Sequence, residues 1–61
     1  MTICKTLARR TAGDREIIAE KRIDKYSNIP HYSIIIAKDG IAISVIPTAR
    51  TTWRRAFNKA E

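Results

Sequence analysis

The dipeptide Asp39-Gly40 lies between two apolar runs and constrains the fold more than any other feature of the sequence. Asp-Gly in this setting favours a two-residue type I′ turn, because both central residues of that turn need a positive φ. The turn therefore predicts a β-hairpin. It also fixes the register, with Lys38 opposite Ile41 and each following pair one residue further from the turn.

This register divides the hairpin residues between two faces. The predicted core face carries Tyr32, Ile34, Ile36, Ile41, Ile43 and Val45. The other face carries smaller and more polar side chains, which are His31, Ser33, Ile35, Ala37, Ala42, Ser44 and Ile46. On that second face, a patch of small residues around two isoleucines is a candidate protein interface. Its members are Ile35, Ile46, Ala37, Ala42, Ser33 and Ser44; the alternative is a solvent-exposed face with two isolated isoleucines.

Residues 15–24, REIIAEKRID, have helical propensities but a poor helical charge pattern. A helix would bring like charges together at i,i+4 spacing, for example Glu16 and Glu20. As a strand, the segment places Ile17, Ala19 and Ile23 on one face and most of its charges on the other. We therefore predict a strand.

The first ten residues pair with this strand if Ala12-Gly13 forms a tight turn. Arg9 would then lie opposite Glu16, and Lys5 opposite Glu20. Cross-strand pairs of opposite charge stabilise a sheet, so this pairing favours a second hairpin.

Residues 48–60 follow Pro47 and are predicted to form a helix with Thr48 as its N-cap. Helical spacing places the apolar residues Ala49, Trp53, Ala56, Phe57 and Ala60 on one stripe. The opposite side carries Thr51, Arg54, Arg55, Asn58 and Lys59. This amphipathic pattern is typical of a helix that covers one face of a sheet.

The predicted fold class is α+β. We expect an antiparallel β-meander of three to four strands, at about 2–10, 15–24, 31–37 and 41–46, with the C-terminal helix on one face. The alternative is an αβββα order, in which a helix over 3–12 is capped by Thr2 and ends at Gly13. The 61 residues are expected to form a single domain, 1–61, whose small core confers marginal stability.

The chain is strongly basic, with twelve Lys and Arg against six Asp and Glu and a net charge of +6. This excess raises the expectation of a polyanionic partner such as nucleic acid. Four basic residues near the C-terminus are candidate phosphate contacts: Arg50, Arg54, Arg55 and Lys59. The alternative interpretation is the ordinary solvated face of an amphipathic helix.

Cys4 is the only cysteine, so the chain cannot form an internal disulfide. A single thiol suits a reducing cytoplasm, and no apolar run approaches the roughly 20 residues that span a bilayer. We expect a cytoplasmic protein without a membrane partner. The sequence has no glycine-rich phosphate loop and no cluster of metal-ligand residues, so no cofactor, no metal and no enzymatic activity are expected.

His31 is the only histidine and could act as a general base. It precedes the hairpin around Asp39-Gly40, which leads through Pro47 to the predicted terminal helix. This order resembles the HicA-type toxins, which cleave messenger RNA and place a histidine before a hairpin and a terminal helix. The resemblance implies a ribonuclease that uses His31. That family has Gly-Ser-His where this chain has Ile29-Pro30-His31, and it begins with a helix.

Of these interpretations, the leading one is a small non-enzymatic interaction or regulatory protein. Its partner would be another protein or a second copy of the chain. A nucleic-acid-binding regulator is the alternative, and the HicA-like ribonuclease comes third. Short basic proteins of this kind are also often encoded by phages or mobile elements, which is a general expectation that no residue here shows.

Overall fold

The computed structural model describes residues 2–26 and 29–60. The strands are β1 (Thr2–Ala12), β2 (Arg15–Asp24), β3 (His31–Lys38) and β4 (Ile41–Thr48), and they are followed by helix α1 (Trp53–Lys59). The strands form one antiparallel sheet in the order β1-β2-β3-β4. The predicted α+β meander with a C-terminal helix is confirmed. Because β1 is a strand, the alternative helix over 3–12 is wrong. The chain therefore lacks, at 3–12, the N-terminal helix with which the HicA-type family begins.

Both hairpins turn on residues with a positive φ. Asp39 and Gly40 have φ values of 55° and 79°, which confirms the predicted type I′ turn. In the first hairpin Ala12 pairs with Arg15, so the central residues are Gly13 and Asp14, one residue later than predicted. Gly13 has a φ of 64°, the conformation that the first central position of a type II′ turn requires.

A β-bulge at Leu7 changes the register of the first hairpin. Ala8 pairs with Ala19, but Thr6 pairs with Glu20, so Leu7 is the additional residue on β1. Leu7 contacts the hydrophobic core. The bulge therefore adds one apolar side chain to a strand that is otherwise rich in small and charged residues.

The predicted charge pairs of this hairpin are corrected by its register. Arg9 lies opposite Ile18 rather than Glu16, but its Nε reaches Glu16 Oε1 diagonally at 2.9 Å. Lys5 lies opposite Lys21 and cannot pair directly with Glu20. The later turn moves Arg9 from Glu16 to Ile18, and the bulge then moves Lys5 and Glu20 to opposite faces of the sheet.

A second β-bulge, at Ile43, overturns half of the predicted register of the β3–β4 hairpin. Ala37 pairs with Ala42 as predicted, but Ile36 pairs with Ser44, Ile35 with Val45 and Ile34 with Ile46. Every residue beyond Ile43 therefore changes face. The predicted core positions Ile41, Ile43 and Val45 are all exposed, whereas Tyr32, Ile34 and Ile36 are buried as predicted.

The core lies between the sheet and α1. Ile17, Ala19 and Ile34 are fully buried at the centre of β2 and β3. The helix covers them with the stripe predicted from the sequence, which is Trp53, Ala56, Phe57 and Ala60. The two inner strands thus share one small core with the helix, and the opposite face of the sheet, called here the open face, has no element of the described chain packed on it.

The helix begins at Trp53 rather than near residue 48. Thr48 pairs with Tyr32 as the last residue of β4, so the prediction of Thr48 as N-cap is wrong. Thr52 takes the N-cap position, and its backbone N–H donates to the Ala49 carbonyl in a turn between β4 and α1. Ala49 is exposed and lies outside the helix. The strand continues through Pro47 because β4 is an edge strand, where a missing N–H is tolerated.

Arg10 ties β1 to the C-terminal end of α1. Its guanidinium donates to the carbonyl of Phe57 through Nε at 3.3 Å and Nη2 at 3.0 Å, and Nη2 also donates to the carbonyl of Ala60. The same group lies 5.5 Å from the centre of the Phe57 ring. A helix of seven residues is too short to be stable alone, so this cation at its negatively polarised end helps to fix it.

Candidate functional site

The outer strand β4 is apolar and exposed. Its eight residues, IAISVIPT, include no charged side chain. Four large aliphatic residues, together called here the β4 edge, are exposed to 68% (Ile41), 51% (Ile43), 59% (Val45) and 41% (Ile46). The strand has a neighbour on one side only, so the backbone groups on its other side have no partner within the sheet.

The bulge at Ile43 distributes the β4 edge over both faces of the sheet. Val45 lies opposite Ile35 on the open face, whereas Ile46 lies opposite the buried Ile34 on the helix face. Ile41 lies opposite Lys38. Because α1 crosses β2 and β3 and leaves β4 largely uncovered, apolar side chains on both sides of β4 stay in solvent.

The predicted interface residues are therefore divided. Ser33, Ile35, Ala37 and Ala42 share the open face, as predicted. Ser44 and Ile46 lie opposite Ile36 and Ile34 on the helix face, so their placement in the same patch is wrong. The reason is the additional residue at the bulge, which a strictly alternating strand does not include. Val45 takes the position opposite Ile35 that the predicted register gave to Ser44.

Ile41, Ile43 and Val45 were predicted to lie in the core. Val45 is exposed because the bulge moves it to the open face, whereas Ile41 keeps its predicted face and is exposed because α1 packs on β2 and β3. No glycine marks the bulge, so the local sequence carries no direct signal for it. The nearest signal is Pro47, since a proline within a strand indicates an edge strand. An edge position would have raised the chance that neighbouring apolar residues are exposed.

The open face also holds a shallow concavity of about 480 Å³. Polar residues of adjacent strands meet there, with Cys4 opposite Arg22 and Arg22 opposite His31. Asp24 lies near this row, 3.5 Å from Arg22 Nε and 4.0 Å from His31 Nε2. His31 is thus placed among charged groups at a strand end. The interpretation of His31 as a ribonuclease catalyst stays a prediction.

The four predicted phosphate contacts all lie exposed at the C-terminal end of the chain. Arg54, Arg55 and Lys59 are on α1, and Arg50 precedes it. The Arg54 guanidinium lies 5.4 Å from the centre of the Trp53 ring. In contrast to Arg9 with Glu16 and Lys38 with Asp14, none of the four forms an ion pair within residues 2–26 and 29–60.

Within the described ranges, no three His, Cys, Asp or Glu side chains are grouped so that they could hold a metal ion. No helix of the described chain has the length and apolar character needed to cross a membrane.

The fold and these surfaces define a small α+β protein, a four-stranded antiparallel meander covered on one face by a short helix. Comparison with models of protein families, with curated proteins and with solved structures gave no match to this chain.

Proposed function

We propose that this chain is a non-enzymatic interaction module that binds another polypeptide through the β4 edge. The observation that carries the proposal is the exposure of Ile41, Ile43, Val45 and Ile46 on an uncharged outer strand. Exposed apolar edge strands favour pairing with further chains, and soluble proteins usually protect them with charges. The opposite edge, β1, follows that rule, because it carries Lys5, Arg9 and Arg10.

Strand addition explains how such an edge would bind. A partner strand beside β4 would pair with its outward backbone groups, and the side chains on either face would add apolar contacts. Full burial of one large aliphatic side chain contributes about 1.5–3 kcal/mol, so burial of the exposed parts of these four side chains adds to the backbone pairing against the cost of association. Because β4 already lies exposed and extended, little rearrangement of the chain is required.

The test compares two lysine substitutions on opposite edges. Val45→Lys places a charge in the β4 edge, whereas Thr6→Lys places the same charge at an exposed position of β1. We expect nuclease-treated host extract, supplemented with a differently tagged copy of the chain, to yield a bound polypeptide with the natural chain and with Thr6→Lys, and to lose it with Val45→Lys. Binding that survives Val45→Lys would refute the proposal, provided that circular dichroism shows a folded variant.

A nucleic-acid-binding regulator is the second candidate, favoured by four exposed cations that form no ion pair with any other described residue. Each duplex phosphate contact lowers the logarithm of affinity by about 0.9 per logarithmic unit of salt concentration. If Arg50, Arg54, Arg55 and Lys59 bind phosphate, the double variant Arg54→Glu/Arg55→Glu should abolish binding to duplex DNA or RNA at low salt. The control is Arg15→Glu, an exposed cation at the first hairpin turn. No detectable binding of the natural chain at low salt would eliminate this candidate.

A further inference from the structure

The outward backbone groups of β4 are irregularly spaced. In a type I′ turn the N–H of Ile41 donates to the carbonyl of Lys38, so Ile41 bonds towards β3. Residues of an antiparallel strand alternate between bonding to one side and to the other, so Ala42 points outward. Ile43 and Ser44 both oppose Ile36 at the bulge, and the next outward residue is Val45.

This spacing selects among partner strands. Outward groups follow at every second residue in a regular strand, about 6.8 Å apart, but Ala42 and Val45 are separated by three positions. A regular partner strand can form hydrogen bonds with the outward backbone groups of one of these two residues. At the other residue, its own N–H and C=O groups point away from β4. A strand with the same bulge can match both.

We propose that the partner of the β4 edge is the β4 edge of a second copy of this chain, paired antiparallel about a two-fold axis. This inference rests on the proposed function and names its partner. Ala42 of each copy then pairs with Val45 of the other, and the two bulges face each other at the axis. The two meanders form one continuous sheet of eight strands.

The side chains agree with this register. Ala42 and Val45 both lie on the open face, opposite Ala37 and Ile35. One residue further out, Ile41 of each copy meets Ile46 of the other, and both lie on the helix face. The pairing thus covers all four residues of the β4 edge without placing a residue of one face against a residue of the other.

Charge and proline placement fit the same pairing. Each copy has a net charge of +6, but residues 41–46 contain no charged side chain, so two copies can meet along this segment without opposing cations in contact.

Pro47 falls opposite Gly40 of the second copy, in the turn and beyond the last bonded pair. Its missing N–H therefore removes no hydrogen bond from the interface.

Sedimentation equilibrium of the purified chain tests whether the dimer forms. We expect a monomer–dimer equilibrium, with a dissociation constant that rises about tenfold or more in Val45→Lys because a charge enters the apolar contact. Thr6→Lys, with the same charge change on β1, should leave the constant unchanged. A chain that stays monomeric at every concentration up to its solubility limit would overturn the inference.

Disulfide trapping tests the register. In a Cys4→Ser background, Ile41→Cys and Ile46→Cys copies are mixed, since these positions face each other with Cα atoms about 4.5 Å apart, which suits a disulfide. We expect a covalent heterodimer from the mixture. Ile41→Cys alone should not cross-link, because its twin lies five residues away along the strand, about 17 Å. Equal cross-linking of the mixture and of the single variants would contradict this register.

The two proposals fail in different ways. A strictly monomeric chain whose capture of another protein is lost in Val45→Lys refutes the second copy as partner and supports strand addition by a different polypeptide. A dimer that is unaffected by Val45→Lys refutes the second copy as the partner of the β4 edge, because another surface then forms the dimer. Capture of another polypeptide that also survives Val45→Lys refutes the proposed function.

Discussion

Arg10 is the residue through which the first strand fixes the helix. Its guanidinium donates to the carbonyls of Phe57 and Ala60 at the end of α1. Hydrogen bonds that involve a charged group contribute about 1.5–3 kcal/mol, and a glutamine is too short to reproduce them. We expect Arg10→Gln to lower the free energy of unfolding by about that amount, measured in urea by the fluorescence of Trp53.

The matched control for Arg10 is Arg54→Gln. Arg54 is exposed, and its described contact is with the ring of Trp53 on the same helix. A change of less than about 0.5–1 kcal/mol is expected there. If both variants lost the same stability, the contribution of Arg10 would reflect charge or helix propensity rather than its bonds to the helix end.

Substitution of Thr48 tests whether this residue ends β4 or caps the helix, because the two structures predict opposite changes in the free energy of unfolding. Its Oγ1 is buried and has no hydrogen-bond partner within the described chain. Thr48→Val keeps the shape and removes the unsatisfied hydroxyl, so the free energy of unfolding should rise by about 1 kcal/mol. If Thr48 were a helix N-cap, the same change would lower it by about 1 kcal/mol. Chemical denaturation distinguishes the two.

At the scale of the elements, the bulge at Ile43 decides which isoleucines stabilise the fold. Ile34 is fully buried, whereas Ile43 is half exposed. Ile34→Ala should therefore cost about 2–5 kcal/mol and Ile43→Ala about 1 kcal/mol or less. Urea unfolding below the dimer dissociation constant measures both. Equal losses would indicate the regular hairpin, in which both residues belong to the core.

The second turn and the existence of the four strands could be predicted from the sequence because their causes are local. Asp39 and Gly40 tolerate a positive φ, and the charges of 15–24 are incompatible with a helix. The stripe of Trp53, Ala56 and Phe57 likewise has helical spacing, which identified the covering helix. These features need no information about distant residues.

The two bulges and the start of the helix could not be predicted in the same way. Leu7 becomes the additional residue of β1 because the core accepts its side chain, which depends on the helix at the other end of the chain. Thr48 belongs to β4 because Tyr32 is available to pair with it. The candidate interface was predicted from a hairpin register without the bulge at Ile43. Ile35 was therefore correctly placed on the open face, and Ile46 was not.

At the scale of the whole molecule, the fold has little core and a large exposed apolar edge. Only Ile17, Ala19 and Ile34 are fully buried among the described residues. A chain of this size gains stability most readily from association. The proposed dimer would therefore contribute to the stability of each copy.

This coupling makes the thermal midpoint depend on protein concentration. Above the dissociation constant, a tenfold rise in concentration should raise the midpoint by about 3–6 °C, since mass action favours the folded dimer. Val45→Lys should remove this dependence at concentrations below its raised dissociation constant, and Thr6→Lys should keep it. Differential scanning calorimetry over a dilution series measures the effect; a midpoint that is constant for the natural chain would argue against folding that is linked to dimerisation.

The contact between Arg10 and the helix end has a consequence for the synthesis of the chain. Arg10 and Ala60 are separated by 50 positions in the sequence. At about 5–20 residues per second, a ribosome adds Ala60 roughly 3–10 s after Arg10. The hairpins can form in that interval, on a microsecond timescale, but the carbonyls that Arg10 binds do not yet exist. The contact between Arg10 and the end of α1 can therefore form only after all four strands have been synthesised, so Ile17 and Ile34 are covered by the helix last.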